Sequence, residues 1–132
     1  DGIESKISAL VFAIPAIKAI EFGAGFAVAK MFGSQSNDSF ALREGEIFTR
    51  TNNHGGILGG ISSGMPIVFR CAVKPTPSIA KPQDTVSIKS NHPVRISVSG
   101  RHDPCIVPRA VPVVEAVSAI AMLDFFKEAN LL

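Results

Sequence analysis

Residues 47–73 read IFTRTNNHGGILGGISSGMPIVFRCAV, and the order of their parts decides the fold class. Five glycines fall within 47–65, a density that no helix interior tolerates. The stretch that follows, PIVFRCAV at 66–73, is apolar and rich in β-branched residues, and reads as a strand. Residues 74–84 (KPTPSIAKPQD) then carry three prolines, which exclude both a helix and a central strand. The middle of the chain therefore consists of short extended pieces and turns.

The flanks are helical. Ile3, Ile7, Leu10, Val11 and Ile14 recur at helical spacing, so an amphipathic helix is predicted over 2–14, stopped at Pro15. Residues 16–22 (AIKAIEF) read as a strand, Gly23 and Gly25 as a turn, and Phe26–Phe32 as a short helix closed by Gly33. The polar run 34–46 (SQSNDSFALREGE) reads as a surface loop. Further strands are predicted over 85–89 and 93–99, a loop over 100–108, and a long apolar helix over about 109–129 whose wet side carries Glu115, Asp124, Lys127 and Glu128. Helices flanking short antiparallel strands make the class α+β.

The chain has 132 residues, enough for a single domain with its own core. Its 46% hydrophobic and 18% charged residues suit a folded protein leaning apolar, and the mean hydropathy of +0.30 is high for this size. Either the core is well filled, or some apolar surface belongs against further chain or a partner subunit. A net charge of +2, with no Trp or Tyr and no basic run, argues against nucleic acid. Pro15, Lys18, Glu21 and Lys30 interrupt the apolar stretch from Ile7 to Phe32, which argues against a membrane span. Cys71 and Cys105 lack any metal-type spacing from each other or from His54, His92 and His102, so no metal site is expected. Two unpatterned cysteines suggest free thiols in a reducing compartment.

Three segments carry possible chemistry. In Gly55–Gly64 the glycines permit positive φ and close backbone approach, which serves either an anion-binding concavity or a tight turn between packed elements. Asn52 and Asn53, at its start, either shape that turn or donate to a ligand. In Lys74-Pro75-Thr76-Pro77-Ser78 the prolines fix the directions of a lysine and two hydroxyls. That suits a phosphate or a ring carbonyl, or simply a stiff connection. In Arg101-His102-Asp103-Pro104 an arginine can grip an anion, and His and Asp can move protons. Alternatively, Asp103 caps its own turn in a surface loop. His54 and His92 read as turn residues.

PAIKAIEFGAGF (15–26), GSQSND (33–38), TNNHGGILGGISSG (51–64), KPTPSI (74–79) and GRHDPCIVPRAVPVVEA (100–116) occur in one order over most of the chain. Together they resemble the chorismate synthase family. The resemblance implies a β–α–β sandwich of two pseudo-related halves, assembled as a homotetramer in the cytoplasm. The implied reaction is a 1,4-anti-elimination of phosphate from 5-enolpyruvylshikimate 3-phosphate, giving chorismate for aromatic amino acid biosynthesis. It needs reduced FMN, though it is redox-neutral, and the sequence does not say whether NADPH reduces that flavin.

Carried over by matching positions, the resemblance places Pro15, Ala16, Gly59, Lys74, Pro75, Thr76, Pro77, Ser78 and Arg101 against FMN. It gives Asp103 a proton-handling role at the flavin, flanked by Arg101 and His102, with Asn52 beside the active site. The three segments are expected to converge on one flavin-sized hollow. Two catalytic histidines, several substrate arginines and a flavin motif of the family's N-terminal part have no match here. Ala19 and Ser63 stand where the family often has Gly and Asn. The absence of an initiator Met at Asp1 fits the same expectation, that residues 1–132 form a single-domain C-terminal portion, inactive alone. The alternative is a non-catalytic oligomerisation or anion-binding module derived from the family.

Overall fold

In the computed structural model, which describes residues 2–131, the elements run α1 (Ile3–Phe12), β1 (Ile17–Phe22), a 3-10 helix (Gly25–Lys30), α2 (Gly33–Ser36), β2 (Phe40–Arg43), β3 (Glu46–Thr49), β4 (Ile57–Leu58), β5 (Ile61–Ser62), β6 (Phe69–Val73), β7 (Gln83–Ser87), β8 (His92–Ile96) and α3 (Val107–Glu128). The α+β class holds: helices at both ends enclose short antiparallel strands, and the long helix is C-terminal.

Ile3, Ile7 and Val11 recur every four residues, and all three are buried. This stripe of α1 packs against α3, where Ala121 is fully buried and leaves room for the helices to approach. The helices are antiparallel. Lys6, near the start of α1, reaches Glu128 Oε1 at 3.0 Å and Asp124 Oδ2 at 3.4 Å near the end of α3, and lies over the Phe125 ring. The hydrogen bond to Glu128 holds the Lys6 ammonium above its ordinary pKa. Ile17 and Ile57 complete the buried cluster, edged by Phe22, Phe69, Cys71 and Val73.

Among the described residues the strands form four separate antiparallel pairs, β1–β6, β2–β3, β4–β5 and β7–β8. Only β1–β6 joins distant parts of the sequence, and it lies over α1. Its register shifts between Ile17 and Ala19, leaving Lys18 without a partner across the ladder.

Two segments differ from the sequence-based expectation. Residues 34–46 are not a plain loop. They hold most of α2, all of β2 and the first residue of β3, joined by Glu44 (φ 53°) and Gly45 (φ 88°). Two successive left-handed residues make the tight hairpin turn whose twist matches its strands. Phe26–Phe32 is not one helix closed by Gly33: the 3-10 helix ends at Lys30, and Gly33 opens α2. Glu21 starts the 3-10 segment by accepting the Phe26 N–H at 3.1 Å, and a Cβ at Gly25 would collide with that carboxylate. That N–H, and then Arg70, hold the Glu21 carboxyl below its ordinary pKa.

The chain exposes 9689 Å². A folded monomer of 13.9 kDa is expected to expose about 6,700 Å². Much of the excess is apolar: Phe26, Phe32, Phe40, Leu42, Ile47, Ile61 and Val86 are all more than half exposed.

Candidate functional site

The β1–β6 ribbon has two ends, and the chemistry-bearing segments divide between them. At one end, Gly23 N–H donates to Val68 O and Val68 N–H to Gly55 O, which ties the glycine segment to the end of β1 and the start of β6. At the other end, the Lys74 N–H donates to Ala16 O, which joins the proline-stiffened segment to the start of β1. Five residues of β6 separate the two, about 17 Å at strand rise.

The glycine end is organised by Asp38, a buried carboxylate. Its Oδ1 accepts from the Thr51 hydroxyl and the Asn53 N–H, and its Oδ2 from the His54 N–H at 2.8 Å. Burial works against this charge. The hydroxyl, the two backbone donors and His54 outweigh it, and the carboxyl stays below its ordinary pKa. Asn52 faces the backbone of the same turn: its Oδ1 accepts from Gly56 N–H at 2.7 Å and its Nδ2 donates to Pro66 O at 2.9 Å. His54 Nδ1 accepts from the same Gly56 N–H, as a turn residue would. The glycines beyond differ among themselves. Gly55 and Gly56 are packed against neighbouring backbone, whereas a Cβ at Gly59, in the β4–β5 turn, would meet nothing within 4 Å.

The other end is a hollow of about 340 Å³ lined by Ala16, Lys18, Lys74, Pro75, Thr76, Pro77 and Ile106. Ala16 takes φ 71°, a left-handed value that a non-glycine residue holds only where the surroundings impose it. The Thr76 Oγ1 is buried and has no hydrogen-bond partner among the described residues. A buried hydroxyl without a partner is costly unless a ligand supplies one. Lys74 pairs with no carboxylate among the described residues. A phosphorylated or carbonyl-bearing cofactor fits these groups: a cation, a waiting hydroxyl and a fixed backbone.

The loop of Arg101, His102 and Asp103 reaches this hollow only through Ile106, at the start of α3. Asp103 Oδ2 accepts from Arg109 Nη1 at 2.9 Å, so the carboxylate is held by the first turns of α3 rather than capping its own turn. A His102 ring nitrogen lies 3.3 Å from Val98 O. Arg101 is exposed. Pro15 and Ser78, both exposed, flank the hollow in sequence without lining it. His92 opens β8 on the surface.

The structure thus brings Ala16 and Lys74–Pro77 together with Ile106, leaves Arg101, His102 and Asp103 outside that lining, and sets Asn52 in the glycine segment tied to the far end of the ribbon, with Gly59 beyond it in the β4–β5 turn. Among the described residues no three His, Cys, Asp or Glu side chains gather as a metal would need, and no helix is long and apolar enough to cross a membrane. Cys71 and Cys105 are free, and burial pushes the Cys71 thiol up. Sequence reasoning missed Asp38 and did not set Lys18 apart. Asp38 gave no signal, being one polar residue in a polar run; Lys18 is singled out only by the register shift.

Fold and site together define an α+β chain with a proline-stiffened hollow, lined by two lysines, beside its central ribbon. A family profile described as chorismate synthase matches residues 1–126. The chain is 52% identical to the chorismate synthase of Pyrococcus abyssi over 124 residues, covering 94% of this chain and 35% of that protein. It is 54% identical to that of Archaeoglobus fulgidus over 122 residues, 92% of this chain and 34% of the relative. With that of Dehalococcoides mccartyi (strain BAV1) it shares 48% over all 132 residues, 36% of the relative's length. A crystal structure of chorismate synthase superposes with a TM-score of 0.55 at 47% identity, over 58% of this chain and 23% of that one. The chain belongs to the chorismate synthase family, and it spans about a third of the length of these relatives.

Proposed function

We propose that this chain is the C-terminal portion of a chorismate synthase and supplies part of its flavin site. The reaction is the 1,4-anti-elimination of phosphate from 5-enolpyruvylshikimate 3-phosphate, in the cytoplasm, by a homotetramer. Reduced FMN, when bound, supplies the electron that no side chain can lend to the departing phosphate. The observation that carries this reading is Thr76, whose buried hydroxyl has no partner among the described residues, lining one hollow with Lys74 and Ala16.

This chain's own residues orient and neutralise. Pro75 and Pro77 fix the backbone so that Lys74 and Thr76 meet the cofactor without reorganising, which is where preorganised electrostatics gain most. Ser78 follows in the same strip, and Pro15 sets the turn that presents Ala16. Arg101 offers a two-pronged grip for phosphate oxygens. Asp103 handles the proton beside the flavin, aided by His102 and steadied by Arg109. Gly59 offers its bare backbone at the far end of the ribbon, and Asn52 holds the loop that carries it. The apolar surface in excess of a monomer's is covered by the rest of the enzyme and its partner subunits.

The test is flavin binding in the full-length natural protein. Lys74→Ala should weaken FMN affinity by roughly tenfold or more, the effect of losing one charged hydrogen bond. Unchanged affinity would remove the Lys74–Ser78 strip from the flavin site. Given anaerobically with substrate and reduced FMN, residues 1–132 alone should give no chorismate at the rate of the full protein.

A further inference from the structure

We infer that Lys18 is a second cation of the hollow and contacts the phosphate group of its ligand. The inference rests on the reading of that hollow as a flavin site. Three independent features of the backbone and side chains converge on it.

The first is the bulge. Ile17 pairs with Val73 and Ala19 with Ala72, so Lys18 is the extra residue that the partner strand does not match. A bulge re-aims the side chain it carries, and bulges concentrate beside functional sites. Here it turns Lys18 to the same hollow as Ala16, Lys74 and Thr76, while the neighbouring Ile17 stays buried in the core. With Ala16 at φ 71°, two backbone irregularities lie on either side of one anchored residue.

The second is charge without a partner. Among the described residues neither Lys18 nor Lys74 lies within 4.0 Å of a carboxylate, although six such ion pairs form elsewhere. Both lysines line one hollow and neither charge is neutralised by a carboxylate, which leaves the hollow open to an anion. The third is Thr76, which lines the same hollow and whose buried Oγ1 has no partner among the described residues. Two cations and a hydroxyl with no acceptor or donor of their own are the contacts a phosphate monoester takes. A neutral ring would use the hydroxyl and leave the second lysine without purpose.

Binding of FMN, riboflavin and inorganic phosphate to the full-length natural protein, followed by flavin fluorescence, separates the possibilities. Riboflavin differs from FMN only in lacking the phosphate. Lys18→Gln should weaken FMN by roughly tenfold and leave riboflavin within about twofold. Lys18→Arg should recover most of the loss. Inorganic phosphate should compete with FMN in the wild type and much less in Lys18→Gln. Lys18 is exposed, so thermal unfolding of the variants should match the wild type.

FMN affinity unchanged in Lys18→Gln while Lys74→Ala weakens it overturns the role of Lys18 and keeps the flavin site. FMN affinity unchanged in both variants overturns the site as well. Equal losses for FMN and riboflavin overturn phosphate contact, since they would show Lys18 acting on the shape of the hollow.

Discussion

Lys74 donates its backbone N–H to the carbonyl of Ala16 at 2.7 Å, and this bond decides where the two segments meet. It also helps hold Ala16 at φ 71°. A β-branched residue pays more than alanine for that conformation, since its second γ atom crowds the backbone. Ala16→Val should destabilise the chain by about 2 kcal/mol, and Ala16→Gly should stay within about 1 kcal/mol of wild type. Denaturant unfolding checks both. A valine variant as stable as wild type would show that the bond to Lys74 imposes nothing on Ala16.

Asp103 is held by Arg109 at 2.9 Å on the first turns of α3. Asp103→Asn keeps the size of the side chain and can still accept from Arg109, so fold and flavin binding should persist. Turnover of the full-length enzyme should fall at least about tenfold, since a lost proton relay typically costs 10²–10⁴. Single-turnover rates with pre-bound FMN measure it. Unchanged turnover takes Asp103 out of the chemistry and leaves it a tether for α3.

The Asp38 carboxyl lies below its ordinary value of 3.8 in the folded chain. The unfolded chain therefore binds a proton here at higher pH than the folded one. The stabilisation is complete above pH 3.8 and is lost as pH falls through the lower folded value. Asp38→Asn should cost about 2–3 kcal/mol at neutral pH, because an amide offers less to the donors of Thr51, Asn53 and His54. It should also flatten the acid limb of the stability curve. An acid limb as steep in the variant as in wild type would place that pH dependence in other carboxylates.

Most of the scaffold was legible because it rests on local patterns. The four-residue spacing of Ile3, Ile7 and Val11 gave α1, Pro15 gave its end, and the apolar run from about Arg109 gave α3, which starts two residues earlier at Val107. The β2–β3 hairpin was not legible, because Phe40, Leu42 and Ile47 lie among polar residues and its Glu44–Gly45 turn is a weak signal beside an Asn-Gly pair. The prolines marked Lys74–Ser78, and the Arg-His-Asp cluster marked the α3 corner. Lys18 could not be marked, since a bulge depends on a pairing between strands fifty residues apart. The three segments do not line one hollow within the described residues, for a related reason. Sequence order does not say which end of a ribbon a segment occupies, and the glycines sit at one end with Lys74 at the other.

The glycines of residues 55–64 look alike in sequence, and the structure divides them. At Gly55, φ is +68°, and a Cβ would lie 2.7 Å from Val68 O and closer still to Gly23 N. Both neighbours are backbone, held by the hydrogen bonds that join β1, β6 and the glycine segment, so neither can give way cheaply. At Gly59, φ is +59°, and a Cβ would meet nothing within 4 Å. Gly55→Ala should therefore cost more than about 3 kcal/mol, combining left-handed strain with overpacking. Gly59→Ala should cost only about 1–2 kcal/mol, the strain alone. Thermal or denaturant unfolding of the two variants gives the comparison. Equal costs would mean that Gly23, Gly55 and Val68 are not packed as described, and that backbone conformation alone explains the glycines of this segment.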